Sequence, residues 1–290
     1  MALTSNSDPL LLGAVAYDPK VITIWDGFKL WFEQNGLAFD YVLYSNYERQ
    51  VEAQLAGHVH VAWDSPLAWI QTERLAARLG RRAEAFAMRD TDRDLRSVIV
   101  VRADSPIQSV AQLAGRRVAV GAADSPQATL IPLLLLAEAG LDVRADLQVE
   151  RHDLLVGKHG DHVGGEREAA RALIEGRADA ACLIDGNLLA FAAEGTLPAG
   201  SVRVLASTPA YDHCVFVALD GAPAEPLARF TALLMSMDYG DAAVRPLLDL
   251  EGLKAWRPGR TSGFAQLNAA VNAFGTIQPW LEAAAARLGA

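Results

Sequence analysis

Short apolar runs of strand length alternate with amphipathic segments of helix length along most of this chain. LLLGAVAY at 10–17 precedes the helical pattern ITIWDGFKLWFEQNG at 22–36. FDYVLYS at 39–45 precedes YERQVEAQLAGH at 47–58, and the alternation continues to about residue 220. Strands separated by helices of about 10 to 15 residues indicate βαβ units. We therefore predict an α/β protein with mixed, mostly parallel sheets.

Charge and length exclude several classes of protein. The net charge is −9 and the arginines are scattered among acids, whereas nucleic-acid binding needs clustered lysine and arginine. No stretch reaches the roughly 18 uninterrupted apolar residues of a membrane helix. The first 20 residues lack the pattern of a signal peptide. We expect no nucleic-acid partner and no membrane span, with a cytoplasmic location as written or a periplasmic one for a processed chain.

Two strand-like runs end on the same tripeptide. Asp64-Ser65-Pro66 follows VHVAW, and Asp124-Ser125-Pro126 follows RRVAVGAA. Serine at an N-cap accepts a hydrogen bond from a helical N–H, and proline is favoured at the first helical position. The remaining free N–H groups and the positive end of the helix dipole favour an anion. A plain helix start is the alternative interpretation of both turns.

Several longer motifs indicate a known family. They are VVRADSPIQSVAQLAGRRVAVGAADS at 100–125, LLAEAGL at 135–141, AARALIEGRADAACLI at 169–184 and VRVLASTPAYDHCVFVAL at 202–219. Together they resemble the type 2 periplasmic-binding-protein fold, most closely the phosphate/phosphite/phosphonate-binding components of ABC transporters. The resemblance implies two α/β lobes joined by crossing strands, with a ligand cleft between them. Lobe 1 is then expected at 1–98 and 208–290, and lobe 2 at 99–207.

The same resemblance implies that the turns at 64–66 and 124–126 both face the cleft, whereas a third Asp-Ser-Pro at 104–106 opens a helix away from it. Phosphonate binders of this family carry a Ser/Thr-Ser-Gly turn where this chain has DSPQAT at 124–129. A carboxylate at Asp64 repels a doubly charged phosphate. We therefore expect a ligand that combines an anionic end with a hydroxyl, an amine or a bound metal.

A glycine-rich stretch at 151–176 concentrates polar residues that include His152, Lys158 and Asp161. Imidazole and carboxylate groups suit zinc or iron. The spacing His-x-x-His-x-x-x-Glu therefore makes His159, His162 and Glu166 a candidate transition-metal site, although no cofactor is the main expectation. The alternatives are direct ligand contacts, or a solvent-facing loop whose polar residues cap the next helix.

Further candidates come from the ends of other strands. Asp185 follows a predicted strand, and His213 lies on an expected crossing strand, where the family offers a polar group to the ligand. Tyr17, Trp63 and Tyr211 could add aromatic faces. The complete set of predicted ligand contacts is Tyr17, Trp63, Asp64, Ser65, Ser125, Gln127, Thr129, His159, His162, Asp185 and His213.

Two functions are open at this point. The first is a solute-binding protein of the ABC-transporter type that closes on a small phosphonate- or carboxylate-like anion and delivers it to a permease if exported. The second is a cytoplasmic, decarboxylase- or biosynthesis-type enzyme on the same fold. It would act on a small aromatic or carboxylated substrate, with His159 or His162 as acid or base and metal assistance as an option. No nucleophile, phosphate-loop or dinucleotide motif is found.

Fold similarity alone does not choose between these functions, because function depends on the site. The binding protein is the favoured interpretation. Its oligomeric state is expected to be monomer or homodimer. Cys182 and Cys214 are expected to be buried free thiols, with a disulfide left open.

Overall fold

The computed structural model describes residues 8–289, and it divides the chain into two compact units. Unit 1 comprises Met1–Arg93, Cys214–Thr261 and Gln278–Ala290, of which residues 1–7 and 290 lie outside the described residues. Unit 2 comprises Asp94–His213 and Ser262–Ile277. The expectation that the chain start carries no signal peptide falls partly on residues 1–7, outside the described part.

Strands and α-helices alternate through most of residues 8–289. The strands are β1 (Leu10–Val15), β2 (Phe39–Tyr44), β3 (Val61–Asp64), β4 (Ala83–Arg89), β5 (Ser97–Arg102), β6 (Arg117–Val120), β7 (Gln148–Arg151), β8 (Ala180–Ile184), β9 (Val202–Ser207), β10 (Val215–Leu219) and β11 (Trp256–Pro258). The α-helices are α1 (Lys20–Gln34), α2 (Tyr47–Leu55), α3 (Pro66–Arg78), α4 (Ile131–Glu138), α5 (Gly164–Ile174), α6 (Asp185–Glu194), α7 (Ala224–Ser236), α8 (Arg245–Glu251), α9 (Ala265–Phe274) and α10 (Gln278–Leu288).

Unit 1 is built on a six-stranded sheet in the order β11-β4-β10-β3-β1-β2. β1 pairs in parallel with β2 and β3, as the βαβ pattern of the sequence predicts. The chain returns to this unit after residue 213 and inserts β10 antiparallel between β3 and β4. The predicted parallel pairing therefore holds for two of the five strand pairs of this sheet.

An aromatic core fills unit 1. Helix α1 presents Ile24, Phe28 and Phe32, spaced four residues apart, to the buried side of the sheet. Phe216 of β10 packs with its ring centroid 4.5 Å from that of Trp63 and 5.3 Å from that of Phe230. These large side chains bury extensive apolar area at the middle of the sheet.

Unit 2 is built on a five-stranded sheet in the order β7-β6-β8-β5-β9, with parallel pairs among β7, β6 and β8 and antiparallel pairs at β5. Successive side chains of β5 enter different apolar clusters: Val98 and Val100 enter one, Ile99 and Val101 the other. Successive residues of a strand point to opposite faces. Both faces of this sheet are therefore covered, which explains why SVIVVR reads as a continuous apolar run.

The observed units differ from the predicted lobes mainly near the C-terminus. The segment 262–277, expected in lobe 1, groups with unit 2, where α9 packs against α4. The tripeptide at 104–106 also differs from expectation. The helix that follows it is a short 3₁₀ helix, Val110–Leu113, which is capped reciprocally by Ser109 and Gln112. Ser109 and Gln112, rather than Ser105, therefore cap the start of this helix.

Both cysteines are buried and free, so no disulfide joins Cys182 to Cys214. Burial raises the pKa of the Cys182 thiol to about 12. Among the described residues, none of the helices combines the length and the apolar character needed to cross a bilayer.

The aromatic core gives a stability prediction. Phe216→Ala removes a fully buried ring and leaves a cavity among packed aromatic residues. We expect a loss of about 3 to 5 kcal/mol in the free energy of unfolding, measured by urea denaturation. Leu30→Ala is the matched control, because Leu30 of α1 is 57% exposed, and it should change stability by less than about 0.5 kcal/mol. Equal effects of the two substitutions would contradict this account of the core.

Candidate functional site

The turn after β6 has an unusual local geometry. The Ser125 hydroxyl oxygen accepts a hydrogen bond from the Ala128 N–H at 3.2 Å, as an N-cap does. The Leu130 N–H donates to the Ser125 carbonyl at 3.0 Å, a five-residue step that makes Pro126–Leu130 a π-helix. This π-helix runs directly into α4. Such π-turns are rare and occur frequently at functional sites.

The turn holds buried polar atoms that nothing in residues 8–289 satisfies. The side-chain oxygen Oε1 of Gln127 has no hydrogen-bond partner there, and neither has Oδ1 of Asp124. The backbone N–H of Gln127 also finds no acceptor among these residues. Buried polar groups are nearly always paired in folded proteins. A buried turn with unmet donors and acceptors is therefore where a polar ligand fits.

A chain of hydrogen bonds from Tyr211 through Ser97 to Gln127 holds this turn in place. The Ser97 hydroxyl donates to the Gln127 carbonyl and lies 2.7 Å from the Tyr211 hydroxyl. Because the Ser97 proton is committed to Gln127, Tyr211 donates to Ser97. Burial raises the pKa of Tyr211, which keeps this phenol protonated. Tyr211, expected to offer an aromatic face, is thus a buried support of the turn.

Hydrogen bonds tie the glycine-rich loop after β7 to the same turn. Asp153 accepts from the Ala123 N–H at 2.7 Å. Asp124 Oδ2 accepts from the Gly157 N–H at 2.5 Å. The side-chain amide of Gln127 donates to the Gly160 carbonyl at 2.8 Å. Turn and loop therefore form one structural element.

Close approach explains one glycine of this loop. Gly160 has φ 82°, and a Cβ there would lie 2.4 Å from the Ser125 hydroxyl oxygen. Any side chain at 160 would have to displace Ser125 or Gln127. The loop is therefore built to lie against the turn, a role that its composition alone does not reveal.

His159 lies at the centre of this element. It is fully buried, its φ is 50°, and its N–H lies 3.4 Å from Asp124 Oδ2. A ring nitrogen of His159 and a carboxylate oxygen of Asp124 lie within 4.8 Å of each other. A non-glycine residue in the left-handed region is strained, and such strain concentrates at functional sites. Asp124 was quoted in the tripeptide but not counted among the predicted contacts.

The other two members of the predicted metal site, His162 and Glu166, accept hydrogen bonds from main-chain N–H groups. His162 Nδ1 accepts from the Gly164 N–H at 3.2 Å and so caps the start of α5. Glu166 accepts from the Ile184 N–H at 2.7 Å. Within residues 8–289, neither residue belongs to a group of three metal-ligating atoms closer than 4.8 Å. The metal hypothesis for His159, His162 and Glu166 gains no support from this geometry and stays a prediction.

Asp185 and His213 occupy separate positions in unit 2. Asp185 is the first residue of α6, and its carboxylate accepts from the N–H of the next residue, Gly186, at 2.7 Å. His213 is 9% exposed and is the last residue before the chain returns to unit 1. Their predicted ligand contacts stay predictions.

The matching tripeptide of unit 1 is satisfied within its own unit. Ser65 caps α3 by accepting from the Ala68 N–H at 3.1 Å. The fully buried Asp64 accepts from Gln50 Nε2 at 2.8 Å and from the Thr72 hydroxyl at 2.9 Å. These contacts give Asp64 a structural role that the sequence did not indicate, because Gln50 and Thr72 lie on two different helices.

The two aromatic candidates of unit 1 pack against its core. Trp63 is 5% exposed, and the Arg89 guanidinium lies 5.2 Å from the centre of its ring. Tyr17 is partly buried against the same core, with Lys20 Nζ 5.8 Å from its ring centre. Packing accounts for both side chains, and their predicted ligand contacts stay predictions.

Comparison with known families decides the class of protein. The profile of the phosphonate ABC-transporter periplasmic substrate-binding proteins matches residues 16–265. The chain belongs to this family. The prediction of a solute-binding protein of the ABC-transporter type is thereby confirmed, as is the resemblance on which it rested. A comparison with curated protein sequences found no match.

Solved structures share the fold at low sequence identity. PhnD1 from Prochlorococcus marinus in complex with methylphosphonate is 17% identical, with 93% of this chain and 99% of that chain covered and a TM-score of 0.70. XAC2383 from Xanthomonas citri bound to chloride is 20% identical, with 97% and 99% covered and a TM-score of 0.67. The sulphonate-binding protein SsuA from Escherichia coli is 19% identical, with 94% of each chain covered and a TM-score of 0.58. The predicted type 2 periplasmic-binding-protein fold is confirmed.

The family also bears on location. Its members are periplasmic substrate-binding proteins, which fits the periplasmic alternative and gives no support to the cytoplasmic expectation. Membership likewise supports an ABC-transporter partner, whereas the expected monomer or homodimer stays a prediction.

Glu166 yields a pH prediction. Burial raises the pKa of its carboxyl from 4.5 to about 7, although the Ile184 N–H opposes the shift. The folded protein holds a proton that the unfolded chain loses above pH 4.5, so the contribution of Glu166 to stability is greatest below that pH and is lost as pH rises through about 7. The loss should be on the order of 3 kcal/mol. Urea denaturation across this pH range measures it.

Glu166→Gln should remove this decline, because glutamine cannot ionise and can still accept from Ile184. Glu168→Gln is the matched control, since Glu168 lies on the same helix beside Arg171 on the solvent side. A pH profile that Glu166→Gln leaves unchanged would show that the decline belongs to other groups.

Proposed function

We propose that this protein binds a small organophosphonate that also carries an amine or hydroxyl group, with the turn at 124–127 as its principal contact. The observation that carries the proposal is the buried, unmet hydrogen-bonding capacity of this turn. The Gln127 N–H and the Ser125 hydroxyl can donate to an anionic oxygen. Asp124 Oδ1 and Gln127 Oε1, which lack partners within residues 8–289, can accept from a donor group on the ligand.

The carboxylate of Asp124 decides which anions fit. Asp124 is only 8% exposed, and a buried negative charge repels a dianion that brings no positive group. An ammonium group on the ligand offsets that repulsion and pairs with the carboxylate. An aminoalkylphosphonate therefore fits better than inorganic phosphate. A ligand of this kind also suits a chain that has DSPQAT at 124–129 in place of a Ser/Thr-Ser-Gly turn.

We further propose that the protein acts in the periplasm and delivers its ligand to an ABC permease. Support comes from family membership and from PhnD1, which binds methylphosphonate. The proposal assigns the anion to unit 2, because Asp64, Ser65 and Trp63 of unit 1 already have partners inside that unit.

The test compares two ligands that differ in one amine. Isothermal titration calorimetry should show that 2-aminoethylphosphonate binds more tightly than ethylphosphonate and inorganic phosphate. Asp124→Asn should weaken 2-aminoethylphosphonate at least tenfold, because the charge pair is lost. The same substitution should leave ethylphosphonate equal or tighter. Asp104→Asn, at a side chain that is 88% exposed in unit 2, is the matched control and should change neither affinity.

A second substitution tests the anion end. Ser125→Ala should weaken 2-aminoethylphosphonate and ethylphosphonate alike by about 1 kcal/mol, the usual scale for one hydrogen bond. Ser109→Ala removes a comparable helix cap in unit 2 outside the turn and should leave both affinities unchanged. Unchanged binding in Ser125→Ala would remove this turn from the site.

One contact keeps the enzyme alternative testable. A ring nitrogen of His159 lies within 4.8 Å of a carboxylate oxygen of Asp124, and a histidine beside a carboxylate is a pair of groups that can act in general acid–base catalysis. Prolonged incubation of the protein with 2-aminoethylphosphonate, followed by ³¹P NMR, should return the ligand unchanged. A new phosphorus signal that His159→Ala abolishes would support the enzyme instead.

A further inference from the structure

A pocket lies wholly within unit 2. It has a volume of about 730 Å³ and is bounded by α4, the end of α9, the loop at 141–144 and the end of β7. Ser125 and Gln127 do not line it. Its size falls in the range of about 300 to 1,000 Å³ that is typical of small-molecule sites.

The floor of this pocket is apolar. Leu130 at the end of the π-helix and Leu133 of α4 are nearly fully buried, and Leu141 closes one side. Phe274 at the end of α9 adds an aromatic wall that is partly buried against the same core cluster. A ligand seated here would remove apolar surface from water, which is the main favourable contribution to binding.

Two arginines with free guanidinium groups stand at the polar side of the pocket. Arg144 and Arg151 are exposed, and their side chains make no hydrogen bond or ion pair with any residue in 8–289. The two aspartates that also line the pocket are engaged with the main chain. Asp142 accepts from the Arg144 and Ala145 N–H groups, and Asp153 accepts from the Ala123 N–H.

One polar residue of the lining, Thr129, is also a predicted ligand contact, and that contact stays a prediction. Thr129 is 1% exposed and lines this pocket, yet its Oγ1 has no hydrogen-bond partner among residues 8–289. Leaving a buried hydroxyl unpaired costs about 1 to 3 kcal/mol. Thr129 Oγ1 exposes less than 1 Å², so contacts to a ligand in this pocket come from the leucines, Phe274 and the two arginines.

We infer that this pocket is a second binding site, for a small amphipathic monoanion such as a medium-chain carboxylate. The apolar chain lies on the leucines and Phe274. The anionic head meets Arg144 and Arg151, whose guanidinium geometry matches a carboxylate. The proposed phosphonate contacts Asp124, Ser125 and Gln127 do not line this pocket, although Ala123 and Asp153 of its wall adjoin that turn.

The test uses octanoate as the probe, with 1-octanol and acetate as controls for its charge and its chain. Calorimetry should show that octanoate binds at least tenfold more tightly than either control. The double variant Arg144→Gln/Arg151→Gln should weaken octanoate at least tenfold. Arg257→Gln, which removes an exposed arginine of β11, should change it less than twofold.

A pocket-filling variant tests the location. Ala273→Trp places an indole from the exposed side of α9 into the pocket and should abolish octanoate binding. Ala286→Trp, on an exposed position of α10, should not. Circular dichroism and thermal melting verify that each variant is folded, and the double arginine variant decides the matter if Ala273→Trp does not fold.

Three results would overturn this inference. One is the absence of octanoate binding at millimolar concentration, and another is equal binding of 1-octanol. The third is octanoate binding that the pocket variants leave intact or that 2-aminoethylphosphonate displaces, because either would assign octanoate to another site. The proposed phosphonate binding is measured independently with 2-aminoethylphosphonate and is unaffected by any of these results.

Discussion

The proposed site of this protein depends on one buried carboxylate. Asp124 accepts hydrogen bonds from the main chain of the glycine-rich loop with one oxygen, and its other oxygen has no partner within residues 8–289. A carboxylate with two oxygens can serve two purposes at once. One oxygen joins loop to turn, and the other is the acceptor that we propose for a donor group of the ligand. Because charge is costly to bury, an unpaired oxygen here indicates a function rather than a packing role.

The rigidity of the sheet makes this arrangement possible. β6 and β8 lie in the interior of unit 2, with apolar clusters on both faces. Their ends are therefore held in place, and the turn that follows β6 begins from a fixed position. The chain Tyr211–Ser97–Gln127 adds a polar support beneath the turn. Binding groups are most effective when they are held in place before the ligand arrives.

The three Asp-Ser-Pro tripeptides show which structural features a local motif determines and which it does not. At 64–66 and 124–126 the serine caps a helix, as the sequence predicts. At 104–106 the capping is done by Ser109 instead. The aspartates diverge further: Asp64 is satisfied by Gln50 and Thr72, whereas Asp124 joins the loop and keeps one oxygen without a partner among the described residues. Side chains on distant segments decide these differences.

The sequence by itself determined the α/β class, the family and the position of the turn at 124–127. Strand and helix periodicity depends on near neighbours, and the caps need only a few consecutive residues. The tertiary structure alone decided that Trp63 and Tyr211 are buried, that His162 caps a helix, and that Asp124 with Gly160 and His159 forms one element with the turn. It also decided the predominance of antiparallel pairing around β5 and β10. These features depend on which segments meet in space, and contacts between residues far apart in the chain leave no period or spacing in the sequence.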